Sequence, residues 1–526
     1  MIPDERSRPT TTSRGAWALA AAAAGLFLMA VMAAAPGSPF QPLLTGRGQP
    51  SGPLHAIAVA VGLGDLHGNV LVAVSVAITL LAIGGFLLLL RAAYRGEVSL
   101  RAVAVLVVGA FALLLFLPLL FSRDVYSYAF YGRIAGVYGG NPYLETPLDH
   151  ASDPLWRFVG PMWVDTPAVY GPAWTSLSSA ASRFLPHPVD HVEAYRYLAI
   201  AAGLATCGAI VWVVRRQWPE RTAFALVAFG ANPVVLFHSV ASGHNDLLVA
   251  LAIIVALGLT LRGKVPWAVA VLTLGALVKA TAALPLLVLL VWVAATRPKG
   301  ERLRAMLPLA GIIAALGVIF AAPYFQLRDP TLGMLELAGH EGWLAPSMAF
   351  SRVLDYLTGD LLGVIPRVVF AGTLLVCLGV LVREVWRRGG RIDGGELAAT
   401  WGWALLLLML LGPVLLPWYV TWSLPLVWAL PRIARTTLLT TSVLLAATLW
   451  SAEPLRFPGA FQVDTLLGRW VVTPIVLVLL VRSILDLRSR VRIGLPFDEE
   501  VLPAVAVPGG GPPDEPERVP ATAREG

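Results

Sequence analysis

An acidic and a basic side chain adjoin at the end of a long apolar run, where a membrane-spanning segment would meet water. Arg123 and Asp124 follow the apolar run 102–121 with only one residue between. Charge at that depth is costly to place, so a charged pair there favours a functional site. The chemistry it suggests is general-base catalysis by the aspartate, with the arginine binding a phosphate group.

The residues that follow are aromatic and have near-helical spacing. A helix over 122–138 lying along the membrane interface would place Asp124, Tyr128 and Tyr131 on one face. A neighbouring face would carry Arg123, Tyr126, Phe130 and Arg133. The alternative interpretation is an interfacial aromatic belt in which the charged pair caps a helix end.

A second polar group lies in a short turn between two apolar runs. His244, Asn245 and Asp246 follow Gly243 there, and they could hydrogen-bond a sugar or assist a proton transfer. They could equally cap the next helix, because asparagine and aspartate favour such positions. His244 and Asp246 are possible metal ligands, but nothing supplies the rest of a ligand set. We therefore predict no metal site and no cofactor, and leave dependence on a divalent metal open.

Lys279 lies late in an apolar run and is one of only three lysines in the chain. A lone lysine near the membrane surface either extends its ammonium group to the interface or neutralises a phosphate. We favour phosphate binding for Lys279. The remaining substrate-binding candidates are polar or aromatic residues beside turns and prolines: Asn141, Tyr143, Tyr170, Trp418 and Tyr419. Rigid aromatic loops suit sugar faces, although they also suit simple packing of a loop onto the membrane surface.

The composition identifies the kind of protein that must position these residues. Of 526 residues, 57% are hydrophobic and 13% are charged, whereas soluble proteins have about 25% charged residues. This indicates an all-α polytopic membrane protein. The net charge of +7 does not indicate nucleic-acid binding, since the arginines lie mostly between apolar runs. The sequence also lacks a nucleotide-binding glycine loop, a zinc-protease motif and a nucleophile elbow.

Fourteen apolar runs are candidate spans, and we expect a bundle of about 12–14 transmembrane helices with extracytoplasmic interfacial helices. The runs are 16–35, 69–90, 102–121, 195–214, 222–241, 245–261, 266–281, 283–296, 305–325, 363–382, 398–416, 418–431, 436–451 and 469–487. The run 16–35 is read as a retained first helix, with a signal peptide as the alternative. The runs 283–296 and 418–431 are short enough to be half-helices, and the shorter run 173–185 is expected to dip into the interface.

Basic residues fix the expected orientation, because cytoplasmic connections are rich in lysine and arginine. With the N-terminal segment 1–15 in the cytoplasm, alternate connections are basic: Arg91, Arg95 and Arg101; Arg215, Arg216 and Arg221; Arg262 and Lys264; Arg297, Lys299, Arg302 and Arg304; Arg383, Arg387, Arg388 and Arg391; Arg432 and Arg435; and Arg488, Arg490 and Arg492. The transmembrane domain is predicted over 16–487, and a disordered cytoplasmic tail over 488–526.

The opposite side of the membrane receives the long connections, which are 36–68, 122–194, 326–362 and 452–468. Asp124 then lies on the extracytoplasmic face, at the start of the longest of them. No nucleotide supply exists on that side, so group transfer there would need a lipid-carried donor.

Taken together, these motifs resemble one known family. Arg123 to Arg133, Asn141-Pro142-Tyr143, Trp163 to Pro172 and Gly243 to Asp246 are similar to the polyprenol-phosphate-mannose-dependent α-(1→6)-mannosyltransferases of actinobacteria, which are GT-C-class glycosyltransferases. The resemblance covers about 120–480. It implies a multispan fold in the plasma membrane, an extracytoplasmic active site, and polyprenyl phosphomannose as the donor.

The resemblance also implies an acceptor and a role for Asp124. The acceptor would be a lipid-anchored mannan, the backbone of lipomannan and lipoarabinomannan, and the sugar would transfer with inversion. Asp124 matches the acid that deprotonates the acceptor hydroxyl, with Asp153 and Asp165 as alternatives because the acid follows the third span here rather than the first. The expected partners are these two substrates and membrane lipids, without nucleic acid.

Physical chemistry agrees with this assignment. A phosphate leaving group needs no protonation, so one carboxylate suffices rather than the pair used by glycosidases. Arg123, Arg133 or Lys279 could stabilise the charge on that phosphate. The competing hypotheses are a transporter or flippase of a lipid-linked sugar, and a non-catalytic scaffold subunit of an envelope complex.

Overall fold

The computed structural model describes residues 10–42, 52–327, 344–359, 362–448 and 456–497. Predictions for residues 1–9, for parts of the connections 36–68, 326–362 and 452–468, and for the tail beyond 497 therefore fall wholly or partly outside the described residues. Over the described ranges the chain is helical and contains no β-strand. This confirms an all-α polytopic membrane protein.

The first nine helices are α1 Ser13–Ala33, α2 Pro53–Ala60, α3 Gly68–Tyr94, α4 Leu100–Leu114, α5 Asp124–Gly136, α6 Pro172–Ser182, α7 Pro188–Gln217, α8 Thr222–Gly230 and α9 Asp246–Thr260. The next nine are α10 Val265–Val278, α11 Ala283–Ala295, α12 Arg302–Ala321, α13 Pro346–Thr358, α14 Val364–Arg388, α15 Gly394–Leu411, α16 Arg432–Thr448, α17 Pro458–Leu467 and α18 Thr473–Ile493. Short helical turns connect several of them.

Within the described ranges, seven helical segments are long and apolar enough to cross a membrane, or eight if α8 and the turn after it form one bent span. Four more apolar helical segments are shorter than that criterion requires: Leu100–Leu114, Asp246–Thr260, Val265–Val278 and Ala280–Ala295. The expected number of about 12–14 spans depends on short helices such as these crossing as well, and it stays a prediction.

Helix α4 ends seven residues before the predicted end of its apolar run, and Pro118 explains the difference. A proline ring clashes with the carbonyl four residues earlier, which here belongs to Leu114, the last residue of α4. Pro118 also has no N–H to donate to that carbonyl, which accepts a hydrogen bond from the guanidinium of Arg196 at 2.8 Å. The segment after α4 is therefore free to turn before α5 begins at Asp124.

The predicted span 222–241 is broken in the middle. Helix α8 ends at Gly230, and a π-helical turn over Val234–Val240 follows at an angle of 45°. Pro233 lacks the backbone N–H that a continuous helix needs. The Asn232 side chain accepts a hydrogen bond from the N–H of Val234 at 3.0 Å, so this N–H is satisfied although the helix is interrupted.

The predicted spans 266–281 and 283–296 also differ from the observed helices. Helix α10 ends at Val278, Lys279 adopts extended backbone angles, and a short turn over Ala280–Ala282 precedes α11. The predicted span 418–431 is not a continuous helix but consists of short turns, of which the first runs over Pro417–Trp422. Both interruptions lie where candidate site residues are found.

A helix is present within the predicted segment 122–138 as α5, and the run 173–185 contains α6. Their position at the membrane interface stays a prediction. Thirteen residues of α5 span about 20 Å, which is too short to cross a hydrocarbon core of about 30 Å. The two helices pack closely, since a Cβ at Gly132 would lie 2.3 Å from the backbone oxygen of Ser178. This contact fixes α5 against α6.

Candidate active site

A strained turn positions Asp124 at the start of α5. Phe121 has φ +53°, a left-handed conformation that is rare for a bulky residue. Its ring stacks on His238 at a centroid distance of 3.9 Å, and its N–H donates to the carbonyl of Phe40 at 2.8 Å. The backbone N–H of Asp124 then donates to the hydroxyl of Ser122 at 3.1 Å. The aspartate is thus held by contacts on both sides of the turn.

The side chain of His244 lies close to the Asp124 carboxylate. The distance between His244 Nδ1 and Asp124 Oδ2 is 3.7 Å, and the hydroxyl of Tyr128 lies 3.4 Å from the same nitrogen. The imidazole is fully buried and stacks on Trp418 with a centroid distance of 3.8 Å. Tyr128 and Asp124 therefore share a helix face, as predicted, and that face meets His244.

Burial controls the protonation of both groups. Loss of solvent raises the pKa of Asp124 from 3.8 to about 6, although the Ser122 hydroxyl and the positive charge of Lys279 oppose the rise. Burial, and then the charge of Lys279, hold the pKa of His244 well below its usual value. The imidazole is therefore neutral near pH 7, and its contact with Asp124 is not an ion pair. Asp124 is a stronger base than an aspartate in water.

A buried ion pair lies beside this group. Lys279 Nζ is 2.7 Å from Asp246 Oδ1, and the indole N–H of Trp422 donates to the same oxygen at 2.7 Å. The Asp246 side chain is fully buried, and that of Lys279 is 10% exposed. The extended backbone at Lys279 projects its side chain from the break between α10 and α11. The sequence identified both charged residues but did not predict that they pair.

Aromatic rings surround the ammonium group. Lys279 Nζ lies 4.8 Å from the ring centroid of Tyr419 and 5.4 Å from that of Trp422. These two rings stack on each other at 4.2 Å. The negative faces of aromatic rings attract a cation, so the interrupted segment after Pro417 helps to position the ammonium group of Lys279.

The turn before α9 leaves several hydrogen-bonding groups open. Asn245 is 2% exposed, and neither atom of its amide group has a hydrogen-bond partner among the described residues. The same holds for His244 Nε2 and Asp246 Oδ2. Asn245 precedes α9 but makes no capping hydrogen bond with its side chain, which speaks against the capping interpretation for this residue. Unsatisfied buried polar groups are rare and call for an explanation, and a polar ligand would satisfy them.

A cavity of about 270 Å³ adjoins the ion pair. Its wall is largely apolar and includes Tyr170, Lys279, Thr281, Leu284, Tyr419 and Trp422. The backbone of Gly171 donates to the carbonyl of Val278 at 3.0 Å, which joins the aromatic loop to the end of α10. The cavity thus combines an apolar lining with one cation, as a phosphate attached to a hydrocarbon chain would require.

Arg133 lies in a separate cluster. It is nine residues from Asp124 along α5, which corresponds to about 14 Å. Its Nε donates to Asp153 Oδ2 at 2.7 Å, and the hydroxyl of Tyr138 donates to the same oxygen at 2.6 Å. These hydrogen bonds hold the pKa of Asp153 below its usual value despite burial, so Asp153 is a weak base. The structure does not bring Arg133 or Asp153 into contact with Asp124.

Three other candidates support the loop or the packing of α5. The Asn141 side chain donates to the carbonyl of Tyr324 and accepts the N–H of Tyr143. The hydroxyl of Tyr143 donates to the carbonyl of Tyr170 at 2.8 Å. Tyr126 is fully buried, and its ring stacks on Phe158. Their predicted roles in substrate binding stay predictions.

Some residues of the site were not among the candidates. Trp422 was missed, although it lies one helical turn beyond the proposed Trp418. Trp174 was also missed as a site residue, yet its ring lies edge-on to Tyr128 at 5.0 Å, as that of Tyr170 does at 4.8 Å. Over the residues described, no three His, Cys, Asp or Glu side chains are grouped closely enough to hold a metal ion.

Comparison with known proteins points to one family. A family model described as alpha-(1→6)-mannopyranosyltransferase, N-terminal domain, matches residues 19–296, which is more than half of the chain. The chain is 29% identical over 396 residues to alpha-(1→6)-mannopyranosyltransferase A of Mycobacterium tuberculosis, covering 73% of this chain and 75% of that protein.

Two relatives come from Corynebacterium glutamicum. Alpha-(1→6)-mannopyranosyltransferase A is 27% identical over 333 residues, covering 58% of this chain and 66% of that protein. Alpha-(1→6)-mannopyranosyltransferase B is 25% identical over 339 residues, covering 58% and 55%. Because the family model spans α1 to α11 and the residues of the Asp124–Lys279 region, the chain belongs to the alpha-(1→6)-mannopyranosyltransferase family.

Proposed function

We propose that this protein transfers mannose from polyprenyl phosphomannose to the 6-hydroxyl group of a lipid-anchored mannan, with inversion at the anomeric carbon. One observation carries the proposal, which is that a half-buried carboxylate, Asp124, lies within electrostatic reach of Lys279, the cation that lines an apolar cavity. A carboxylate can accept the proton of a sugar hydroxyl, and the cavity suits a lipid-linked phosphate. Both substrates would meet beside the His244–Asp246 turn.

The reaction proceeds in one displacement. Asp124 accepts the proton of the acceptor hydroxyl as its oxygen forms a bond to the anomeric carbon of mannose. The bond between that carbon and the phosphate oxygen breaks, and the electron pair leaves with polyprenyl phosphate. A phosphate is stable as an anion, so no acid is needed to protonate the leaving group.

Lys279 provides positive charge for the leaving phosphate, since it lines the cavity and its side chain is 10% exposed. Asp246 and the rings of Tyr419 and Trp422 fix its position before substrate binds. Preorganised charge of this kind stabilises a transition state without further rearrangement. Arg123, which makes no ion pair within the described ranges, is the second cation near Asp124.

The amide of Asn245 is the group best suited to recognise the sugar. It has two donors and an acceptor that are buried and unpaired in the described structure. A sugar hydroxyl can both donate and accept, so it would satisfy the amide. A ligand lacking such hydroxyls would leave the amide unpaired, at a cost of about 1–3 kcal/mol for a buried polar group.

The proposed active site lies on the extracytoplasmic side of the plasma membrane, with both termini in the cytoplasm. In support, the basic residue Arg435 lies over the ring of Tyr94 at the end of α3 and close to Phe224 at the start of α8. The chain then runs 20 residues through α8 and the bent turn to reach His244, a path of about 30 Å if helical. A path of that length would be enough to separate the basic end from the candidate site by most of the membrane thickness.

The test is transfer of labelled mannose from polyprenyl phosphomannose by membranes that contain each variant. Asp124→Asn removes the base without changing its size and should lower transfer at least 100-fold. Asp65→Asn, an exposed aspartate in another connection, is the matched control and should retain activity. Full activity of Asp124→Asn would reject Asp124 as the base. Loss of activity in Asp165→Asn or Asp153→Asn alone would instead assign the role of base to that residue.

The same assay separates the enzyme from a flippase. Purified protein in vesicles should form a mannosylated product when both substrates are supplied. Movement of the lipid-linked sugar across the bilayer without any such product would instead support transport.

A further inference from the structure

A second cavity lies between α16 and α18, away from the candidate active site. It has a volume of about 420 Å³ and is lined by Arg432, Ile433, Thr436, Thr437, Leu479 and Arg482. Its two arginines come from different helices, so they face a common space from two walls. No acidic side chain lines it. We call it the Arg432–Arg482 cavity.

Both arginines are available to a ligand. Arg432 and Arg482 are exposed, and within the described part of the chain neither takes part in an ion pair or a side-chain hydrogen bond. The nearest acid on α18, Asp486, is 3.0 Å from Arg490 and is thereby engaged. Two guanidinium groups on one cavity create a positive potential that a phosphate group would neutralise, and arginine binds phosphate with two parallel hydrogen bonds.

The base of the cavity is rigid. The hydroxyl of Thr437 lies 2.8 Å from that of Ser483, so a hydrogen bond joins α16 to α18. Both hydroxyl groups belong to buried residues. Thr436, one residue earlier on α16, is exposed and supplies a hydroxyl at the cavity wall. A hydroxyl group beside two arginines is a further hydrogen-bond donor to phosphate oxygens.

Apolar side chains extend from this cavity along α18. Ile475, Val478 and Val481 are 38%, 58% and 47% exposed, and they precede Arg482 on the same helix. They are spaced three residues apart, so they form a continuous apolar strip on its surface. A ligand with a phosphate head group and a hydrocarbon chain would contact both the arginines and this strip. A free phosphate would contact the arginines alone.

We propose that the Arg432–Arg482 cavity binds the head group of an anionic phospholipid, whose acyl chain lies along Ile475, Val478 and Val481. The cavity is at the basic end of the bundle, because Arg435, one turn from Arg432, contacts Tyr94 at the end of α3. Basic pockets between membrane helices are well suited to such head groups. The site is independent of the proposed mannosyl transfer.

The experiment compares lipid binding by the full-length protein in nanodiscs made of phosphatidylcholine. Phosphatidylglycerol is titrated in, and the bound lipid is measured by native mass spectrometry. Wild type should bind phosphatidylglycerol about 10-fold or more tightly than phosphatidylcholine. R432Q/R482Q should lose that preference, because each cation near the membrane surface contributes an attraction to anionic lipid.

The matched control is R488Q, which removes an exposed arginine of α18 that does not line the cavity. It should keep the wild-type preference. R432K/R482K keeps both charges and should recover part of the binding, which excludes a general folding defect as the cause. Equal binding of the two lipids by wild type, or an unchanged preference in R432Q/R482Q, would overturn the proposal.

A second arm distinguishes the lipid from a free anion. Inorganic phosphate is titrated against the same nanodiscs, and displacement of phosphatidylglycerol is measured. The apolar strip should make the lipid bind more tightly than phosphate. Binding of phosphate with equal affinity would assign the cavity to a free anion and overturn the lipid assignment.

Discussion

Lys279 and Asp246 form a buried ion pair of 2.7 Å that joins the end of α10 to the start of α9. The two residues are 33 positions apart in the sequence. The pair lies next to the turn that carries His244, and Lys279 also faces the cavity. It therefore connects the proposed phosphate contact with the part of the site that would meet the sugar.

The first prediction separates the structural and catalytic roles of this pair. Lys279→Met leaves Asp246 charged and buried without its partner, which destabilises proteins by about 3–5 kcal/mol. Adding Asp246→Leu removes that charge, so the double variant should regain most of the stability but no activity. Thermal unfolding in detergent and a mannosyl-transfer assay measure the two effects. Activity that returns together with stability would show that Lys279 is only structural.

The second prediction concerns pH. If Asp124 is the base, it must be ionised, and its pKa is raised to about 6. Transfer should therefore decrease as the pH falls through about 6, whereas an aspartate with its usual pKa would remain active to about pH 4. The pH profile of kcat/KM is the measurement, and a limb near pH 4 in the wild type would contradict the assignment.

Short-range spacing was enough to predict the helical part of the site. The i and i+4 positions of Asp124 and Tyr128 correctly placed both on one face of α5, and that face meets His244. The pairing of Arg133 with Asp153 could not be predicted in the same way, because the two residues are 20 positions apart and the loop after α5 must fold back to join them. Spacing along one element is encoded locally, whereas contacts between elements depend on the whole bundle.

The interruptions of apolar runs were predicted only in part. Hydropathy does not register a proline within an apolar run, so the predicted third span continued past Pro118 although α4 ends at Leu114. The run 418–431 was expected to be a half-helix because it is short, and it consists of short helical turns. The break around Lys279 precedes Pro285, whose ring would clash with the carbonyl of Thr281 in a continuous helix. The ion pair with Asp246 then holds the Lys279 side chain at this break.

The third prediction tests the strained turn before Asp124. Phe121 has φ +53°, which a β-branched residue tolerates poorly and glycine tolerates well. Phe121→Val and Phe121→Gly both remove the ring that stacks on His238, so they differ mainly in backbone strain. We expect the glycine variant to retain more transfer activity and to be more stable by about 1–2 kcal/mol. Equal activity and stability of the two variants would mean that the backbone conformation at residue 121 does not determine the position of Asp124.

The fourth prediction tests how closely α5 must approach α6. A Cβ at Gly132 would lie 2.3 Å from the carbonyl oxygen of Ser178, so Gly132→Ala must push the two helices apart. Overpacking of this kind costs about 1–3 kcal/mol, and the shift should move Asp124 and lower transfer about 10-fold or more. Thermal unfolding and the transfer assay measure both effects.

Gly109→Ala in α4 is the matched control for that variant. Nothing lies within 4 Å of a Cβ at Gly109, and alanine is favoured over glycine within a helix by about 0.5–1 kcal/mol. The control should therefore be as stable as the wild type or slightly more stable, with full activity. If Gly132→Ala behaved like Gly109→Ala, the close contact between α5 and α6 would not be what positions Asp124, and the strained turn at Phe121 would have to do so alone.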